Sequence, residues 1–239
     1  MAISMKVLFI GDIHGAWGDA DDVMDAATSE HGNIDLVIQV GDMGFGMPGV
    51  RPWARVPVEG QKWRWIDGNH ENFDLLYKRD LPNFGYDPYH ILWPRLWKEF
   101  LSRWKYMPRG TVEDGILYIG GASSIDRMWR TPGLDWWDAE NISYADAERT
   151  LDAIEAYAGH IHTVISHDCP EAFIMEPVLN GPEYSDGNRK FLDHIRTIVK
   201  PDRWYFGHYH ATHSGTLDGC EWRCINMVPS GDYVVVDLP

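Results

Sequence analysis

At 239 residues, 44% of them hydrophobic and 24% charged, the chain can bury a substantial core as one large domain. A formal net charge of −15 speaks against a general duplex-binding protein, whose affinity comes mainly from cations neutralising phosphates. Three cysteines, Cys169, Cys220 and Cys224, form no zinc-ribbon spacing and leave one over, so a reducing, cytoplasmic compartment is expected.

Met5 to Ile10 is a continuous apolar run with one Lys and reads as a buried strand ending at Gly11. No cleavage-site pattern follows it, and no segment approaches ~20 continuous apolar residues, so no membrane span is expected. Asp19, Asp21 and Asp22 crowd the first turn of a helix, where the dipole favours negative charge, and Val23, Met24 and Ala27 form its apolar stripe. Ile34 to Val40 is a second buried strand. Strand, helix, strand is a parallel crossover unit, which places Asp12 and Asp42 at the carboxyl ends of neighbouring strands, where open α/β sheets bind ligands.

From Gly44 to Gly60 the chain is loop, and a strand from Trp63 to Ile66 then delivers Asn69 and His70. Glu71 to Arg79 begins the next helix, with Glu71 as a charge at its N-terminus. Between about 81 and 110, Pro82, Pro88, Pro94 and Pro108 interrupt Trp93, Trp97 and Trp104, which reads as a Trp-rich, cap-like insertion. Its Arg95, Lys98, Arg103, Lys105 and Arg109 against Glu99 make a cationic patch that either stacks a base and meets a phosphate or fills a cap or an oligomer interface.

Ile116 to Ile119 resumes strand character, and the loop from Ser123 to Asn141 carries Arg127, Trp129 and Arg130. Ser143 caps a helix with Ala147, Leu151, Ile154 and Ala158 at helical spacing, and Thr163 to Ser166 is the strand feeding His167. Asp186 caps another helix, with Phe191, Ile195 and Ile198 on its apolar side, before Arg203 to Phe206 leads to His208. Three antiparallel strands close the chain, from roughly 212 to 217, 222 to 227 and 233 to 237.

Five segments therefore offer oxygen or nitrogen donors just past a hydrophobic strand, in an order that could surround two metal ions. Asp12 and His14, two residues apart in extended chain, point the same way and can grip one ion, and His208 and His210 repeat that spacing. A carboxylate can bridge two cations, and Asp42 is the natural bridge. His160 and His162 precede their strand, which puts them at the opposite edge in a structural role.

Gly11-Asp12-Ile13-His14-Gly15, Gly41-Asp42-Met43-Gly44, Gly68-Asn69-His70-Glu71, Ser166-His167 and Gly207-His208-Tyr209-His210 resemble, in order, the motifs of the calcineurin-like metallophosphoesterase family. The resemblance spans nearly the whole chain. It implies one domain over residues 1–239, built as a four-layer α-β-β-α sandwich of two mixed sheets with the metal site at the strand C-terminal edge. It further implies one ion on Asp12, His14, Asp42 and His210 and a second on Asp42, Asn69, His167 and His208. A hydroxide shared by the ions would attack phosphorus, with His70 at the rim as the catalytic residue that stabilises or protonates the leaving oxygen, paired with an acidic residue such as Asp42. Imidazole, carboxylate and amide donors without thiolate favour Mn²⁺, with Fe or Zn²⁺ as alternatives.

One departure bears on substrate. The protein-phosphatase branch reads Gly-Asp-x-x-Asp-Arg-Gly where this chain has Gly41-Asp42-Met43-Gly44-Phe45-Gly46, losing the Arg that holds a phosphomonoester. A singly charged diester needs less support, so the expected activity is phosphodiester hydrolysis of small nucleotides, 2′,3′-cyclic monophosphates first. Trp17, Arg127 and Arg130, near the metal edge, are the expected substrate contacts. The rivals are a phosphomonoesterase using Arg51 or Arg127, a nuclease, and, in a different class, a non-catalytic scaffold. Oligomeric state is left open.

Overall fold

The computed structural model describes residues 4–78, 93–173 and 186–239. Met5–Ile10 (β1) lies between Leu36–Gln39 (β2) and the antiparallel Tyr233–Leu238 (β11). Lys62–Trp65 (β3) and Trp104–Tyr106 (β4) extend the sheet in parallel, giving the order β11-β1-β2-β3-β4. A second sheet runs Thr111–Glu113 (β5), Ile116–Ile119 (β6), Thr163–Ser166 (β7), Arg203–Phe206 (β8), Cys220–Cys224 (β10) and His213–Leu217 (β9). In it β6, β7, β8 and β10 are parallel, with β5 and β9 antiparallel at the edges.

The continuous apolar strands follow from burial on both faces. Val7 and Phe9 of β1 face Ile116, Tyr118, Ile165 and Tyr205 of the other sheet. Leu8 and Ile10 point outward to Ala20, Val23, Met24 and Ala27 of helix Trp17–His31 (α1), in a cluster that also takes in Phe73 and Leu75 of helix Phe73–Lys78 (α2) and Trp97 and Phe100 of helix Trp93–Arg103 (α3). The outer face of the second sheet packs Leu117, Val164, Trp204 and Trp222 against Leu151 and Ile154 of helix Tyr144–Ala156 (α4) and Leu192 and Ile195 of helix Gly187–Val199 (α5). These are four layers: helix, sheet, sheet, helix.

Ser143 caps α4 with a full capping box on Asp146, and Asp186 accepts from the Arg189 amide at the start of α5. Two details differ from the sequence reading. The stripe of α5 runs through Leu192 and Ile195, leaving Ile198 45% exposed, and α4 ends at Ala156, short of Ala158. Between 93 and 106 the chain is not irregular: α3 leads into β4, and Trp97 and Trp104 are fully buried among Trp53, Trp63, Phe45 and Phe100. Those two indoles are core, not a stacking surface. The first part of the expected insertion, 81–92, lies outside the described residues.

Candidate metal centre

Every donor segment leaves the carboxyl end of a parallel strand: Asp12 and His14 after β1, Asp42 after β2, Asn69 and His70 after β3, His167 after β7, His208 and His210 after β8. The backbone there is strained. Among the described residues seven non-glycine residues have positive φ; Asp114 and Asp218 open Asp-Gly hairpin turns and Lys200 ends α5, while the other four are His14, Asp42, His208 and His210. Left-handed backbone costs roughly 1–3 kcal/mol per such residue and concentrates at functional sites.

Two groups result. Asp12, His14, Asp42 and His210 bring one donor atom each to within 4.8 Å of one another, and so do Asp42, His167 and His208. In the first, His210 Nε2 lies 3.1 Å from Asp12 Oδ2 and 3.2 Å from His14 Nε2, which is 3.5 Å from Asp42 Oδ2. In the second, His167 Nε2 lies 3.3 Å from Asp42 Oδ1 and 3.3 Å from Asn69 Oδ1. Asp42 thus turns one oxygen to each group. Asp12 Oδ2 is buried and has no partner among the described residues beyond the His210 and His14 rings. A buried carboxylate oxygen facing converging imidazole nitrogens fits a divalent cation, and the all N and O donor set, without thiolate, fits Mn²⁺, Fe or Zn²⁺.

The loops are cross-braced below the donors. His167 Nδ1 donates to Val40 O at 2.8 Å, which fixes Nε2 as the free nitrogen. Gly41 has φ +103 and passes so close to His167 that a Cβ there would sit 2.2 Å from Nδ1. Glu71 is not a helix charge; its buried carboxylate accepts from the Met43 amide at 2.8 Å and the Phe45 amide at 2.7 Å, tying the Asp42 loop to the Asn69 loop. Burial raises the Glu71 carboxyl well above the usual range, with the Asp42 charge adding to it. Burial also works against charge on Asp42, yet the His167, His70 and His14 rings outweigh it and hold that carboxyl low. His167 shifts up against its own burial because Asp42 lies beside it.

His70 is placed beside His14, ring centroids 4.7 Å apart, but its side-chain partner is a cation, not the expected carboxylate. Arg130 NH2 lies 2.6 Å from His70 Nε2. A guanidinium only donates, so Nε2 accepts and Nδ1 carries the ring proton. Burial, reinforced by His14, Arg130 and His167, lowers the imidazole to about 4, leaving it neutral near pH 7 instead of poised there. Arg130 is itself held by Asp126 at 2.7 Å.

The other expected contacts fare differently. Trp17 stacks on Trp53 at 5.5 Å and donates its indole N–H to Arg51 O at 2.6 Å, touching none of the donor groups. Arg127 is exposed on a short 3₁₀ helix and has no side-chain partner among the described residues. His160 and His162 stand at the other end of β7, on Asp202 and on Asp114 O and Thr163 Oγ1.

Sequence reading missed the frame behind Asn69. Arg109, buried, donates to Asp67 Oδ2 from Nε at 2.9 Å and from NH2 at 2.6 Å, and Tyr106 OH donates to Asp67 Oδ1 at 2.8 Å. Asp67 directly precedes Gly68-Asn69-His70, which was its one visible signal; nothing local marks Arg109 as its partner.

A family model described as calcineurin-like phosphoesterase matches residues 5–212. Among solved structures, one of 14% identity has a TM-score of 0.60, covering 98% of this chain and 95% of its own. TT1561 of Thermus thermophilus is 12% identical, with a TM-score of 0.50 and coverage of 98% of this chain and 99% of its own. A candidate 5′-nucleotidase from Staphylococcus aureus, solved with alpha-ketoglutarate, is 13% identical, with a TM-score of 0.53, over 99% of this chain and 51% of its own. No curated protein matches the chain. At such identities these structures share the fold.

Proposed function

The chain belongs to the calcineurin-like phosphoesterase family, and from that premise we propose that it hydrolyses small phosphodiesters, 2′,3′-cyclic nucleotides foremost. Asp12, His14, Asp42 and His210 would hold one divalent ion and Asp42, Asn69, His167 and His208 a second. The observation that carries this reading is Asp42, whose Oδ2 faces His14 and whose Oδ1 faces His167. When bound, such a pair of ions lowers the pKa of water and neutralises charge on phosphoryl oxygens. Mn²⁺ is favoured among the metals that suit imidazole, carboxylate and amide together.

The chain's own residues do the rest. Arg130, at the rim against His70, supplies the cation for a phosphoryl oxygen. Its pairing with Asp126 leaves it a weak field, which suits a singly charged diester better than a dianionic monoester. His70, neutral, offers its Nδ1–H to the developing charge on the leaving oxygen. The donors come from both sheets, so we treat the chain as one domain. Three buried, unpaired thiols suit a reducing compartment.

A phosphomonoesterase is the second reading, because Arg130 partly replaces the cation missing from Gly41-Asp42-Met43-Gly44. The test is turnover by Mn²⁺-loaded protein on 2′,3′- and 3′,5′-cyclic nucleotides, aryl mono- and diesters, a phosphopeptide and a single-stranded oligonucleotide. Faster monoester than diester turnover would give the case to the second reading, and a preference for the oligonucleotide would make the protein a nuclease.

A further inference from the structure

Resting on the reading of Asn69 as a donor to one ion, we propose that Ser124 and Glu140 are positioning residues that lock the Asn69 carboxamide with its oxygen toward His167. An asparagine side chain is nearly symmetric in shape, and only its oxygen can serve a cation. Something must decide which end faces the site.

The decision follows from where the protons are. Ser124 Oγ lies 2.6 Å from Glu140 Oε2, and the Ser124 amide donates to Glu140 Oε1 at 2.7 Å. The carboxylate only accepts, so the single hydroxyl proton of Ser124 goes to Glu140. Its oxygen is then left as an acceptor, and the group it meets is Asn69 Nδ2 at 3.1 Å. Turning the amide over would set oxygen against oxygen with no proton between them. Oδ1 therefore faces His167 Nε2 at 3.3 Å. Asn69, Ser124 and Glu140 are 4%, 4% and 1% exposed, so water has little access to substitute for any of the three.

The clamp is carried by the same frame as the loop it serves. Arg109 NH2, on Asp67, also donates to Ala139 O and Glu140 O, each at 3.0 Å. The Gly121 amide donates to Asp67 O at 2.9 Å, and a Cβ on Gly120 would lie 2.1 Å from Asp67 Oδ1. The approach of the Ser124 loop to the Asn69 loop is thus set by backbone contact, and both oxygens of a buried carboxylate are occupied by one serine.

The test is a calorimetric Mn²⁺ titration of the metal-free full chain, wild type beside Ser124→Ala and Glu140→Gln. Loss of a partner behind a ligand weakens metal affinity roughly 10- to 100-fold. That loss is expected for one of two ions in either variant, with the other affinity held within about threefold by the untouched first group. Glu140→Gln keeps shape and volume, but with its oxygen on the Ser124 amide its N–H donates to Ser124 Oγ, which releases the hydroxyl proton toward Asn69 and favours the turned carboxamide, so it should fail as Ser124→Ala does. In an Asn69→Ala background, Ser124→Ala should change nothing further, because the residue it acts through is gone. A structural role alone would lower both affinities together and would persist in that background, and either result overturns the proposal, as does wild-type binding of both ions by Glu140→Gln. Wild-type protein that takes up fewer than two ions defeats the reading beneath it as well. If Ser124→Ala does not fold, Glu140→Gln decides alone.

Discussion

The two donor groups share Asp42 and differ in how they are held. In the first, the His14 and His210 side chains are 24% and 44% exposed, and their rings are fixed mainly by each other and by Asp12. In the second, His167 is fully buried and pinned to Val40 across the gap between the sheets, while Asn69 is backed by Ser124 and Glu140. One half is open and self-supporting; the other is enclosed and braced by both sheets. A site arranged this way exchanges water and ligand through its open half and keeps its geometry through the closed one. Asp42 and the Arg130–His70 pair sit where the halves meet.

The shared carboxylate is the point of greatest leverage. Asp42→Ala removes a donor from both groups and leaves the His70 amide without its acceptor. Activity should fall more than about 100-fold, beyond the range for losing a mere partner of a ligand, with bound metal dropping below one ion per chain by elemental analysis. An Asp42→Ala protein that kept two ions would mean the halves do not meet there.

The halves should then separate under single changes. His167→Ala strips the Val40 carbonyl of its donor inside the protein, which costs on the order of 1–3 kcal/mol, and it should empty the closed half as well. His210→Ala, at the exposed rim, should shift thermal stability by no more than about 0.5 kcal/mol while weakening the open half. Thermal unfolding of metal-free protein beside metal content reads both. Equal destabilisation by the two substitutions would abolish the contrast.

The open half was legible because each donor follows a strand whose two faces are both covered, so a continuous apolar run ends at a polar motif. Val7 and Phe9 inward, Leu8 and Ile10 outward, show why β1 reads as it does. The closed half was legible in its donors, Asn69, His167 and His208 beside the shared Asp42, but not in what braces them. Its braces join residues with no common local pattern: Arg109 lies 42 residues from Asp67, and Ser124 is 55 from Asn69. Composition was also ambiguous at Trp97 and Trp104, whose indole N–H groups are buried without hydrogen-bond partners among the described residues. A Trp beside Arg and Lys reads alike whether it fills a core or offers a platform, since only the third dimension says which way the ring points. His70 shows the same limit, because its cation partner comes from 60 residues away.

At the junction, His70→Ala should leave both ions in place and lower turnover by about 10²-fold, the lower end for losing one hydrogen-bond donor to a developing oxyanion. The deficit should grow as the leaving group becomes more basic. Full activity on an alkyl diester would remove His70 from that role, and loss of metal would move it into the braced half.

The smallest effect belongs to the other His-x-His pair, which tests whether the contrast is special to the site. His162 is 9% exposed, its Nε2 donates to Asp114 O at 3.1 Å, and burial lowers its imidazole below 6.5 with only partial relief from that carbonyl. A histidine depressed in the fold is neutral there while the unfolded chain takes up a proton, so stability is full above the unfolded value near 6.5 and declines as pH falls through and below it. Replacing His162 by Gln removes that decline. The gap in stability between wild type and His162→Gln should therefore change by no more than about 1 kcal/mol between pH 7.5 and 5.5, in the direction of wild type losing ground in acid. Metal content should stay level, because neither His160 nor His162 joins either donor group among the described residues. A drop in bound metal in His162→Gln would mean that the two ends of β7 communicate, and that the closed half is braced from the far edge of the sheet as well as from Val40.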